Sequence, residues 1–417
     1  MKISQGAKKA IFIGSLCSVS YLAVYFARNI LSAVTPDMVA NSGFSKEYIG
    51  RVSSLYFVCY AVGQLINGAI GDKIKARYMI SIGLLMAGVS NFIFAQVVST
   101  PTVAMIAYGC TGFFLSMIYG PMTKVVAENT EPIYATRCSL GYTFAGFFGS
   151  PAAGAVAAFL SWQSVFAVSS AALVIMAIAC FLVFYLFERK GMIRYGQYKR
   201  QRNEGKGGSI GLLLRYRIVK FILISVITGI IRTAVTFWIP TYISEYLGFP
   251  PDKAAGIFTV VTFLISLTTF VAIFVYERLR RNMDLTILLM FSCCTVFFLL
   301  VFLIKQPIVN LALLVLAVIA SNSAATMLYS RYCPGLRDTG MVSGVTGFLD
   351  AVSYLAAALA SSMFANAVNA LGGWGNLILV WAGIAFCGVL IALPYKGWYG
   401  PYKWLSDGTE KNEQNEK

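Results

Sequence analysis

Two arginines stand inside apolar stretches of this 417-residue chain, Arg28 in YFARNILSAVTPD at 25–37 and Arg232 in IIRTAVTFWIP at 230–240. A guanidinium keeps its proton at any ordinary pH, so each must be paired or reach water. Its planar fork matches phosphate oxygens two at a time, and two forks can neutralise a phosphate dianion. Placing either one at a helix centre costs on the order of 2.5 to 3.5 kcal/mol on insertion scales, which suggests a use. The spacing also repeats, because Pro36 and Pro240 each follow their arginine by eight residues. At about 1.5 Å per residue each cation lies roughly 12 Å from its proline, at matching depth, and a helix exit follows. A Gly-Phe loop with a lysine follows in both places, SGFSKEYIG at 42–50 and LGFPPDKAAG at 247–256.

Three more polar positions belong to the same chemistry. Tyr25 precedes Arg28 by one helical turn and Thr236 follows Arg232 by one turn, so both are expected to face the same cavity with hydroxyls suited to a sugar or glycerol body. Asp350 is the acidic residue read as lying deep in a span, with Ser343, Thr346 and Tyr354 on its helical face. It is expected either to form an internal ion pair that stands in for an anionic ligand, or to take up a proton as that ligand arrives. A third reading is a structural bond to a neighbouring helix backbone.

The elements that position these residues follow from composition. The chain is 58% hydrophobic and 12% charged, with a mean hydropathy of +0.73, against about 25% charged in a typical soluble domain. Apolar runs near 20 residues, the length of a bilayer crossing, recur twelve times: roughly 11–34, 48–70, 78–97, 102–127, 138–160, 163–187, 219–243, 254–276, 285–304, 308–330, 340–366 and 375–395. The N-terminal MKISQGAKK with its apolar run reads as a retained first helix, since the run has no convincing cleavage site. The expected fold is an all-α membrane protein with twelve transmembrane helices in two pseudo-symmetric six-helix bundles. Its parts are a first bundle at 1–187, a basic linker at 188–218, a second bundle at 219–396 and a polar tail at 397–417.

Of the 33 Lys and Arg, 27 fall at one set of loops and four, Lys46, Arg51, Lys253 and Lys305, at the other. That split predicts both termini on the cytoplasmic side of a cell (inner) membrane. The net charge of +16 is thus an orientation signal and not a nucleic-acid footprint. There is no His, and the nine Cys form no ligand spacing, so neither a metal nor another cofactor is expected. No nucleophile or acid–base constellation appears, which argues against an enzyme. Arginines paired by an internal repeat point instead to a secondary transporter with its substrate between the halves.

GAIGDKIKAR at 68–77 resembles the loop signature between the second and third helices of the major facilitator superfamily, carried by Gly68, Asp72, Lys73 and Arg77. YFARNILSAVTP, IIRTAVTFWIPTY and GMVSGVTGFLDAVSY at 340–354 resemble the first, seventh and eleventh helices of its organophosphate:phosphate antiporters. The resemblance implies exchange of a phosphate ester for inorganic phosphate by a carrier working as a monomer, with Arg28 and Arg232 on the phosphoryl group. Asp72 with Lys73 and Arg77 reads as a gating or structural loop that holds the inner ends of the halves together in one state, and not as substrate binding. A second-helix lysine of that family is Gln64 here, a neutral hydrogen-bonding group in place of a cation, and its fifth-helix histidine has no counterpart. Two alternatives stay open: a proton-coupled symporter of a carboxylate or other small organic anion, and a sugar-phosphate sensor.

Overall fold

The computed structural model describes residues 4–71, 74–195, 217–333 and 342–394. Among them every regular element is helical. The first half holds α1 (Gln5–Ser42), α2 (Lys46–Gly71), α3 (Ala76–Val97), α4 (Pro101–Leu115), α5 (Tyr119–Asn129), α6 (Pro132–Phe147), α7 (Gly149–Ala157) and α8 (Trp162–Arg189). The second holds α9 (Ile218–Gly229), a wide π turn (Ile230–Val235), α10 (Thr236–Glu245), α11 (Pro251–Ser266), α12 (Thr268–Arg278), α13 (Met283–Leu303), α14 (Pro307–Met327), a second π turn (Leu328–Tyr332), α15 (Val342–Ala370) and α16 (Trp374–Ala392).

Several neighbours run on as one membrane crossing, and eleven helical segments are long and apolar enough to span a bilayer. The expected span at 138–160 corresponds to α6 and α7, whose apolar part, Phe144–Ala157, is shorter. Pro151 explains the break between them: it has no N–H to donate to Phe147, so the ladder fails at that turn. The linker beyond Tyr195, Asp72, Lys73 and the tail beyond Pro394 lie outside the described residues.

Neither repeat proline ends its helix. Pro36 lies inside α1 and Pro240 inside α10. The true stops are glycines in the left-handed region, Gly43 at φ 70° and Gly248 at φ 75°, where a side chain would be strained. The amide after each glycine donates six residues back, Phe44 to the Met38 carbonyl at 3.2 Å and Phe249 to the Ile243 carbonyl at 3.3 Å, the same closing motif twice. The internal repeat is therefore real in three dimensions, although its punctuation is glycine.

We call the end of the molecule where α1 meets α2 distal, and the end where residues 4–10 lie proximal. The two halves touch chiefly through α2 against α15, α7 against α11 and α1 against α10. On the distal side of the arginines, Ser32 Oγ donates to the Phe237 carbonyl at 2.6 Å. Trp238 Nε1 donates to the Ser361 carbonyl at 3.1 Å, and Ser53 and Ser361 hydroxyls lie 3.0 Å apart. A Cβ on Gly154 would stand 2.9 Å from the Ala255 carbonyl, so α7 and α11 meet backbone to backbone.

Candidate functional site

Arg28 is carried by α1 and is half-buried. Its guanidinium donates to the Tyr354 hydroxyl at 2.6 Å. Its central carbon lies 5.4 Å from the Tyr25 ring centroid, 5.3 Å from Tyr60 and 4.7 Å from Tyr354. Three rings from α1, α2 and α15 thus cage one cation. Such contacts contribute about 0.5 to 2 kcal/mol each when desolvated, enough to offset part of the cost of the site. Every partner in this cage is formally neutral.

Arg232 sits in the π turn between α9 and α10. Its guanidinium reaches Asp350 Oδ1 at 3.5 Å and donates toward the Ser353 hydroxyl at 3.4 Å. The rings of Tyr329 and Tyr354 lie 5.6 and 5.8 Å from it. Both partners of the ion pair are partly exposed, Arg232 at 29% and Asp350 at 24%. α9 approaches α15 so closely here that a Cβ on Gly229 would fall 2.4 Å from the Ser353 carbonyl. That absent side chain lets the arginine turn meet the acid.

Tyr354 is the junction. It contacts Arg28 from one half and Arg232 from the other, so the two guanidiniums face one place. The expected convergence of the arginines is present, and Asp350 pairs with Arg232 while Tyr354, one turn on, serves Arg28. Tyr25 joins the cage as expected. Thr236 is half-buried, and its hydroxyl lies 3.5 Å from the Ile231 carbonyl of its own wide turn. Gln64 is half-buried one turn proximal of Tyr60. Thr346 lies a turn before Asp350, and the side chain of Ser343 is outside the described residues.

Tyr60, Tyr329 and Ser353 were not foreseen as site residues. Tyr60 is detectable in principle, since it precedes Gln64 by four positions and shares its helix face. Tyr329 belongs to a π turn, a local widening that periodicity does not announce.

Of the 68–77 signature, Asp72 and Lys73 lie outside the described residues, and Arg77 is the member whose contacts are described. Arg77 is 7% exposed and pairs with Glu188 of α8 at 3.1 Å. It also donates to the Tyr78 hydroxyl at 2.7 Å. Tyr195 donates to Glu188 at 2.9 Å, and burial, then the Glu188 carboxylate, push its phenol pKa upward. These bonds all lie within the first half, so Arg77 here fastens α3 to α8. The second half has a proximal cluster of its own, with Asp284 2.8 Å from Lys220 and 3.6 Å from Arg217.

The profile of the Major Facilitator Superfamily matches residues 17–361. The chain is 27% identical over 110 residues, 26% of its length, to a probable hexose phosphate transport protein of Chlamydia trachomatis, and covers 24% of that relative. It is 24% identical over 257 residues, 55% of its length, to the membrane sensor protein UhpC of Escherichia coli, and covers 56% of it. These first relatives are thus matched over well under two thirds of their lengths. A longer match at 23% identity covers 93% of this chain and 88% of the phosphoglycerate transporter protein of Salmonella typhimurium. Among solved structures, the nucleoside transporter NupG superposes with a TM-score of 0.71 at 14% identity, covering 91% of this chain and 98% of that one, a likeness of fold alone.

Proposed function

The chain belongs to the Major Facilitator Superfamily, and on that premise we propose that it carries a small organic phosphate ester, a sugar phosphate or glycerol phosphate, across a membrane by alternating access in exchange for inorganic phosphate. The observation that carries this reading is Tyr354, which touches the half-buried arginine of each half. A phosphoryl group entering between the arginines meets two forks that together neutralise a dianion. Its oxygens replace the Tyr354 hydroxyl on Arg28 and compete with Asp350 for Arg232. The names of the matched hexose phosphate and phosphoglycerate carriers support an organophosphate.

Exchange follows from the charges of the empty site. Asp350 compensates Arg232, whereas the described partners of Arg28 are neutral phenols. Closing both ends around that cation leaves a charge in a medium of low dielectric, and a bound anion removes the penalty. The loaded carrier therefore reorients faster than the empty one. In this orientation the proximal end faces the cytoplasm and the carrier resides in the cell membrane.

Counterflow in proteoliposomes tests the reading: internal phosphate is expected to accelerate uptake of labelled glycerol 3-phosphate or glucose 6-phosphate. Uptake indifferent to internal phosphate would sink it. The Asp350–Arg232 pair at 3.5 Å favours one second reading, in which the acid takes a proton when an anion captures its arginine. Proton symport of a small organic anion then follows, and uptake driven by an imposed pH gradient alone would identify it.

A further inference from the structure

At the distal rim, Glu245 ends α10 and Lys46 begins α2, so the two belong to different halves. Lys46 Nζ lies 2.8 Å from Glu245 Oε2, with the side chains 16% and 28% exposed. The same oxygen accepts from Trp374 Nε1 at 2.8 Å, and Trp374 opens α16 in the half that owns Glu245. One carboxylate is thus fixed from behind by an indole of its own half and bonded in front by an ammonium of the other. Next to it, Asn369 of α15 donates to Glu47 of α2, a second bond across the halves.

Beneath this rim lies a seam of small residues. Ser54 Oγ donates to the Ala358 carbonyl, and Ser53 meets Ser361. A Cβ on Gly50 would stand 2.8 Å from that of Ala365 and 3.2 Å from the Ser361 carbonyl. Such contact is close but poor in apolar area, so the seam itself holds weakly and separates without exposing a large hydrophobic face.

We propose that Lys46, Glu245 and Trp374 form a polar latch that holds the distal mouth shut and sets how often it opens. When the halves part, Lys46 regains water and Glu245 keeps its indole donor, so no buried charge is orphaned. The latch therefore biases the equilibrium without locking it. Its role rests on the superfamily's two-half architecture and is independent of which anion is carried.

Labelling of Ser361→Cys by a bulky hydrophilic maleimide in detergent tests this, because Ser361 is fully buried in the closed seam. The parent chain, labelled in parallel, supplies the background from its own cysteines. Adding Lys46→Ala or Glu245→Gln is expected to raise the labelling rate about two- to five-fold, the range that an ion pair of this exposure can supply. Lys46→Arg, which keeps the charge, is expected to stay at the starting rate. An unchanged rate in both neutralised variants overturns the latch. So does an equal rise in Lys46→Arg, which would assign the effect to packing and not to charge.

Discussion

Arg28 donates a hydrogen bond of 2.6 Å to the hydroxyl of Tyr354, a residue 326 positions away in the other half of the molecule. That bond satisfies the cation without neutralising it, and under the proposed function a phosphoryl group displaces it. Tyr354→Phe is therefore expected to tighten phosphate binding about ten- to a hundred-fold, because a hydrogen bond to a charged group contributes about 1.5 to 3 kcal/mol that the empty site would lose. Titration calorimetry in detergent reads this directly. Weaker binding would make the hydroxyl a ligand of the bound anion and not its stand-in.

Arg28→Lys and Arg232→Lys are each expected to lower phosphate counterflow at least about a hundred-fold, since a lysine offers no bidentate fork at a site built for one. Initial rates in proteoliposomes, normalised to inserted protein, check it. Counterflow above a tenth of the parent rate in either variant would remove that arginine from the site.

Asp350→Asn removes the acid facing Arg232 but keeps a side chain of the same shape. Phosphate-driven exchange is expected to continue, and any acceleration by an imposed pH gradient is expected to vanish. Parallel uptake assays with and without the gradient separate the two effects. A gradient response that persists in the variant would place the titrating group elsewhere.

Gly50→Val fills the place where α2 meets α15, within 2.8 Å of the Ala365 Cβ. The seam then cannot close as it does here, while α2 itself remains helical. Transport is expected to fall at least about ten-fold, and distal labelling of Ser361→Cys to rise well above the level reached by breaking the latch, because overpacking opposes closure directly. Unchanged transport would mean that the seam has room that the backbone spacing does not suggest.

Arg77→Ala leaves the half-buried Glu188 bonded to Tyr195 with its cation gone. Loss of one partner costs about 3 to 5 kcal/mol in a fully buried pair and about 0 to 1 kcal/mol in an exposed one, so with Glu188 18% exposed the thermal midpoint in detergent is expected to drop by a few degrees. Because the pair lies within the first half, latch-dependent labelling at the distal end is expected to stay the same.

The all-helical membrane class was legible in the sequence, and the division into two halves and the pairing of Arg28 with Arg232 are expectations that it raises. Each rests on a local signal: runs of apolar length, a charge asymmetry between loops, and one spacing written twice. Both repeat helices run on past their prolines, since a proline inside a membrane helix is tolerated when neighbours meet the freed carbonyl. Gly43 and Gly248, and not Pro36 and Pro240, turn the chain. Only the tertiary structure decided who partners each arginine. Arg28 and Tyr354, or Arg232 and Tyr329, lie far apart along the chain, and contacts of that kind follow from how helices are rotated against one another. That rotation is set at close approaches such as Gly229 on Ser353 and at the π turn that carries Arg232, where the register of a regular helix no longer applies.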